Sequence, residues 1–233
     1  MAGILYGVGV GPGDPELLTM KAARLIRENT VIALPGENAQ ETVAYQIAVQ
    51  AVPELADKLL LSLDMPMTHD RAVREHCHDL AADTVEVYLK KGENVLFLTL
   101  GDPAVYSTYL YIEKRIAARG YQTEMVSGIP SFCAAAARVN TPLAEWNEPI
   151  HVIPAVHRLD QPMDQPGTYV LMKSGKRMDQ VKEILRAGGR DIVMVENCGM
   201  PEEKVYRGVE DIPDDAGYYS LIIARERNEK SKE

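Results

Sequence analysis

The chain of 233 residues and 25.8 kDa has room for one large domain or two small ones. Apolar residues make up 46% and charged residues 25%, which excludes a disordered chain, a collagen-like fibre and a coiled-coil rod. Asp and Glu number 34 against 25 Lys and Arg, a net charge of −9, so neither nucleic acid nor an anionic membrane surface is an expected partner. A local basic pocket for an acidic small molecule stays open.

No apolar run approaches the roughly 20 residues of a membrane helix. Residues 4–10 are broken by Gly and precede the first basic residue, Lys21, so they read as a strand and not as a signal peptide. Cys77, Cys133 and Cys198 are too widely spaced for a disulfide framework or a zinc site. A reducing cytoplasm and no protein-bound metal are the expectations.

In chain order, the strand at 4–10 ends at Gly11-Pro12-Gly13. Asp14 then offers an N-cap, Pro15 suits a first helical position, and Leu18, Ala22, Leu25 and Ile26 fall on one face of a helix packed on a sheet. A strand at 30–34, a helix at 40–52 and a long helix at 70–91 closed by Gly92 follow. The most apolar strand, 94–99, leads into Gly101-Asp102-Pro103 and then a helix at 106–119. This alternation predicts βαβ units and a mostly parallel sheet.

From residue 122 the texture changes. Strands at 122–126, 150–154, 168–173, 191–195, 204–208 and 218–224, with helices at 131–139 and 176–187, predict a mixed sheet. The expected division is an α/β domain over 1–122 and an α+β domain over 123–233. Residues 161–167 form the obvious Pro/Gly-marked loop, and 225–232 a tail of mixed charge.

Several motifs invite chemistry. The Gly-rich turn at 8–15 fails the G-x-G-x-x-G spacing, because the sixth position is Pro12 counted from Gly7 and Asp14 counted from Gly9. Asp14 also repels a pyrophosphate, and Pro12 and Pro15 have no N–H to donate. The turn is either a tight backbone reversal or a ligand edge. Gly101-Asp102 sits beyond an apolar strand, where ligands of open α/β sheets bind, yet Asp102 fits equally as a cap. Two such turns at two strand ends favour a shared site.

The small residues after Ser131 suit close packing or a flat ligand, and Ser131 itself fits an N-cap. Tyr106 and Tyr109 would share a helix face beside Ser107 and Thr108, as a cleft wall or as half-buried tyrosines. His76-Cys77-His78 is not a metal site, since helical neighbours diverge by about 100° each; a solvated helix face is expected there. No nucleophile elbow and no base beside Cys198 is present.

Together the segments VGVGPGDPELLT (8–19), LGDPAVYST (100–108), SGIPSFCAAAA (127–137), YVLMK (169–173) and VENCGMPEEKVYRG (195–208) resemble the tetrapyrrole (corrin/porphyrin) methylase family across essentially the whole chain. DMPMTHD (64–70) and GDPAVYSTYLYI (101–112) resemble the members that methylate carbon 20 of precorrin-2 or cobalt-factor II in cobalamin biosynthesis. The resemblance implies a homodimer of two-domain chains, with a mostly parallel and a mixed sheet and S-adenosylmethionine in the cleft between the domains. By position it implies cofactor contacts at Pro12, Leu100, Gly101, Asp102, Val105, Tyr106, Ser131, Phe132, Met172, Asn197, Cys198, Ser220 and Leu221.

The chain departs from the family in two places. Ser127-Gly128 and Pro130-Ser131 replace the usual P-G and Ser-Ser, and residues 199–203 replace a T-x-x-x-Q motif. A carboxylated tetrapyrrole is the implied substrate, with Tyr106, Ser107, Thr108 and Tyr109 as its expected wall. No residue declares itself as a base, so none is assigned. Methylation at another ring position and a non-catalytic tetrapyrrole-binding module are the rival readings.

Overall fold

Short apolar runs alternating with amphipathic helices build the first sheet. In a computed structural model describing residues 2–154, 163–174 and 177–227, strands β1 (Leu5–Gly9), β2 (Val31–Pro35), β3 (Leu59–Leu63), β4 (Val95–Thr99) and β5 (Thr123–Val126) run parallel in the order β3-β2-β4-β1-β5. Helices α1 (Met20–Glu28) and α2 (Val43–Ala51) cover one face, while α3 (Arg71–Lys90) and α4 (Tyr109–Ala118) cover the other. Alternate strand residues serve opposite cores: Ile32, Leu34, Leu96 and Leu98 pack with Ile26 and Ile47, and Val31, Ala33, Val95 and Phe97 with Val85 and Ile112. Burial on both faces is why β2 and β4 read as continuous apolar runs.

The helix starts are set locally. Thr19 accepts from the Ala22 N–H at the head of α1, and Asp70 accepts from Ala72 and Val73 at the head of α3; each cap is worth about 1 kcal/mol. Asp14 caps only a 3-10 turn, Pro15–Leu17, and not α1 as the sequence suggested, because Leu18 and Thr19 are extended. The strand β3 carries no expectation from the sequence. It lies at a sheet edge, with Leu61 and Leu63 buried and Leu59 exposed.

The second sheet, of β6 (Ile150–Pro154), β7 (Thr168–Met172), β8 (Asp191–Glu196), β9 (Lys204–Arg207) and β10 (Ser220–Arg225), has the order β6-β7-β10-β8-β9. Only β6 and β7 pair in parallel among the described residues, so the sheet is mixed as expected. Helix α5 (Ser131–Arg138) packs on Val170, Val193 and Ile223, and α6 (Met178–Gly188) on Leu171, Met194 and Ile222.

The chain divides into two compact units, Met1–Pro130 and Ser131–Glu233. The sequence division at 122–123 falls before β5, but β5 belongs to the first sheet, where Leu5 pairs with Thr123 and Val8 with Val126. Residues 161–162 of the expected loop, the expected start of α6 at 176, and the end of the charged tail lie outside the described residues. Among the described residues, no helix is long and apolar enough to cross a membrane.

Candidate functional site

The strand order fixes where a ligand site arises in the first unit. The chain leaves β1 towards β2, past β4, and leaves β4 towards β5, past β1. Adjacent strands whose connections run in opposite directions open a crevice beyond their carboxyl ends. Both Gly turns singled out in the sequence stand there. The Val10 N–H donates to the Thr99 carbonyl at 3.0 Å, the Gly101 N–H to the Gly11 carbonyl at 2.8 Å, and the Gly11 N–H back to Gly101 at 3.3 Å. Gly11 and Gly101 have φ of 79° and 71°, a region that glycine enters without steric cost.

A third turn joins them at backbone contact. A Cβ on Gly128 would lie 2.1 Å from the Gly101 carbonyl oxygen, and one on Gly9 would lie 2.7 Å from the Gly128 nitrogen. Asp102 binds this junction together. Its Oδ1 accepts from the Ala104 N–H at 2.8 Å and its Oδ2 from the Gly128 N–H at 2.9 Å. The Asp102 carboxylate therefore shapes the ligand edge through the main chain. Pro12 and Gly101 are buried, and Leu100, Asp102 and Val105 are half-buried around the same junction.

The segment after this turn differs from its sequence reading. Helix α4 begins at Tyr109, so Tyr106 and Tyr109 share no helix face. Tyr109 is fully buried against Phe97, its hydroxyl donates to the Glu124 carbonyl at 3.2 Å, and burial pushes its phenol far above the ordinary range. It is a core residue, corrected from the expected wall. The Ser107 hydroxyl is also committed, bonded to Thr99 Oγ1 at 2.8 Å and accepting from the Tyr109 N–H at 3.1 Å. Tyr106 is 44% exposed with a left-handed φ of 50°, and Thr108 is half-buried at the head of α4.

In the second unit the remaining predicted residues gather at one sheet end. Because β10 runs antiparallel to β7 and β8, its start lies beside their carboxyl ends: Leu221 pairs with Met172 and Ser220 with Glu196. Asn197 has φ 52° and donates its N–H to the Tyr219 carbonyl at 3.1 Å. The Ser220 hydroxyl donates to Gly217, and Leu221 and Cys198 pack in the core under α5, so a ligand contact from Ser220 or Leu221 runs through the main chain. Ser131 and Phe132, at the head of α5, are half-buried.

The same sheet end holds two residues to which the sequence reading assigns no site role. Lys173 has φ 59°, and its ammonium lies 5.8 Å from the centre of the exposed Tyr218 ring. Beside it the Ser174 hydroxyl is fully buried with no hydrogen-bond partner among the described residues. Left-handed backbone and an orphaned buried hydroxyl side by side make this edge a candidate for ligand contact. Position beyond a strand end is the signal that would have found them.

The His76-Cys77-His78 reading needs one correction. His78 is not on a solvated face: it is 3% exposed and stacks on Tyr111 at 4.7 Å, because it points between α3 and α4.

A family model described as tetrapyrrole (corrin/porphyrin) methylases matches residues 4–212. The chain belongs to the tetrapyrrole methylase family. It is a methyltransferase, and the resemblance and fold class read from the sequence hold. The relative named "Probable cobalt-precorrin-2 C(20)-methyltransferase" of Methanocaldococcus jannaschii is 32% identical, over 88% of this chain and 86% of its own. A precorrin-2 C(20)-methyltransferase of Sinorhizobium sp. is 29% identical, over 95% and 94%. A uroporphyrin-III C-methyltransferase from Thermus thermophilus, solved with S-adenyl homocysteine, superposes with a TM-score of 0.66 at 23% identity, covering 96% of this chain and 98% of its own, and so shares the fold.

Proposed function

We propose that this methylase transfers a methyl group from S-adenosylmethionine to carbon 20 of precorrin-2 or its cobalt-containing counterpart, in cobalamin biosynthesis. The observation that carries the reading is likeness along most of the chain to relatives named for that position of that ring. The donor set fits the cofactor: turns with no space for side chains at Gly9 and Gly128, packed against the Gly101 carbonyl, admit a ligand close to main chain, and the orphaned Ser174 hydroxyl fits a polar ligand. The resemblance assigns cofactor contacts to Pro12, Leu100, Gly101, Asp102, Val105 and Tyr106 in the first unit, and to Ser131, Phe132, Met172, Asn197, Cys198 and the main chain of Ser220 and Leu221 in the second.

When bound, S-adenosylmethionine supplies an electrophilic methyl on sulfonium. The protein's part is alignment at about 3–3.5 Å and exclusion of water. Asp102 keeps the turns in one arrangement, so alignment is set before the ligand arrives. Tyr106, Ser107 and Thr108 stand at the start of α4, where the helix dipole favours substrate carboxylates. Tyr109 keeps the core beneath them intact.

The same reading covers partners and place. It takes the protein as cytoplasmic, without a resident metal, and without nucleic-acid or membrane partners, in keeping with its charge of −9. It also takes the working form as a homodimer. Val73, Leu80 and Val87 recur every seven residues on α3 as an exposed apolar stripe. An antiparallel two-fold pair of these helices brings Asp70 near Lys90 of the partner subunit, so opposite charges meet at both ends.

Incubation with methyl-labelled S-adenosylmethionine and metal-free or cobalt-loaded dimethylated substrate tests the function. One label at carbon 20 is the expected outcome. Label at another carbon, or none with both substrates, overturns it.

A further inference from the structure

Two carboxylates flank the turn after β8, and both bind main-chain N–H groups. Glu196 Oε1 accepts from the Gly217 N–H at 2.6 Å, and Tyr206 donates to its Oε2. Glu203 Oε2 accepts from the Gly199 N–H at 2.8 Å, and Arg138 of α5 donates to its Oε1. The turn between them is unusual backbone: Asn197 has φ 52° and Gly199 φ 75°, and the Met200 N–H donates to the Asn197 carbonyl at 2.9 Å.

The Glu203 side chain is 13% exposed. Burial pushes its carboxyl up, but the Gly199 N–H and the Arg138 guanidinium outweigh that and hold it below the ordinary range. An ionised carboxylate anchored on one side by a helix residue fixes the amide on its other side. Charge-assisted bonds of this kind are about twice as strong as neutral ones.

We propose that Glu203, braced by Arg138, is a positioning residue that sets the Asn197–Gly199 backbone for ligand contact. The inference rests on the cofactor reading above and adds the residue that holds this edge in shape. The two Glu203 oxygens accept from two donors at once. A Gln cannot do so, since its amide would direct its own N–H groups at Arg138 or at Gly199.

The test uses the full chain with S-adenosylhomocysteine as probe, in calorimetry and in amide hydrogen exchange. Glu203→Gln is expected to weaken binding about tenfold or more and to speed exchange at Gly199, with near-UV circular dichroism unchanged. Arg138→Lys, which keeps the positive charge, should recover most of the affinity lost in Arg138→Ala. Glu210→Gln breaks an exposed pair with Arg186 in the same unit and serves as the stability control. Wild-type affinity in Glu203→Gln, with unchanged Gly199 exchange, overturns the positioning role while leaving the cofactor reading intact. No binding by the wild-type chain overturns both.

Discussion

The Asp102 carboxylate and the Gly128 main-chain N–H are joined at 2.9 Å, which locks the turn after β4 to the turn after β5. The same side chain holds Ala104, so one acid serves two otherwise separate segments. Asp102→Ala removes both bonds and should cost about 1.5–3 kcal/mol of stability. Asp102→Asn keeps one acceptor and turns a second donor on the remaining N–H, and should fall between. Urea unfolding midpoints check the order. Equal midpoints in all three chains would show that the junction holds without the carboxylate.

Tyr106 and Tyr109 should respond oppositely to truncation. Tyr109→Ala empties a fully buried site and should cost about 3–5 kcal/mol, whereas Tyr109→Phe keeps the ring and loses the hydroxyl's bond to Glu124, about 1 kcal/mol. Tyr106→Ala removes a half-exposed ring and should cost far less stability than Tyr109→Ala while weakening tetrapyrrole binding. Thermal melts alongside pigment titration separate the cases. A stable Tyr109→Ala with impaired pigment binding would restore Tyr109 to the site.

How much was legible follows from where the signals are local. The apolar runs of β1, β2 and β4 and the Gly turns beyond them stand in the sequence, so the position of the crevice is legible there. The convergence of Gly9, Gly101 and Gly128 depends on strand order, which no local pattern encodes. Edge strands were the weak point: β3 and β5 have few fully buried residues, so β3 was missed and β5 was assigned to the wrong sheet. The tyrosines were misplaced because α4 starts at Tyr109, with Ser107 supplying the acceptor for its N–H. Lys173, Ser174 and Glu203 matter through partners distant in sequence or through backbone angles, and neither shows in a motif.

The stripe on α3 gives a mass-based test. Leu80 is 52% exposed at its centre, so Leu80→Glu places a charge at the two-fold without touching the core. Light scattering at micromolar concentration should give a dimer for the wild-type chain and a monomer for Leu80→Glu, with matching circular dichroism. A dimer in both would move the interface elsewhere, and a wild-type monomer would remove it.

His78 should make stability depend on pH near neutrality. Burial, and next the Arg115 guanidinium, push its imidazole below the ordinary value. Glu75, Asp79 and Arg74 of α3 also act on it, the two acids pulling the other way, and Tyr111 of α4 covers its ring. With Nδ1 unpartnered among the described residues, a proton there gains no acceptor. In the unfolded chain the imidazole titrates near its ordinary value of about 6.5. Below that pH the unfolded state binds a proton that the folded state refuses, so stability falls as pH drops towards the lower folded value. His78→Phe keeps an aromatic ring against Tyr111 and removes the titration. Its unfolding free energy should decline less than that of the wild-type chain between about pH 7 and pH 5. The other four histidines and every carboxylate are common to both chains, so the difference in slope isolates His78. Identical slopes would mean that the folded protein accepts the proton on His78 at no cost, against the desolvation argued here.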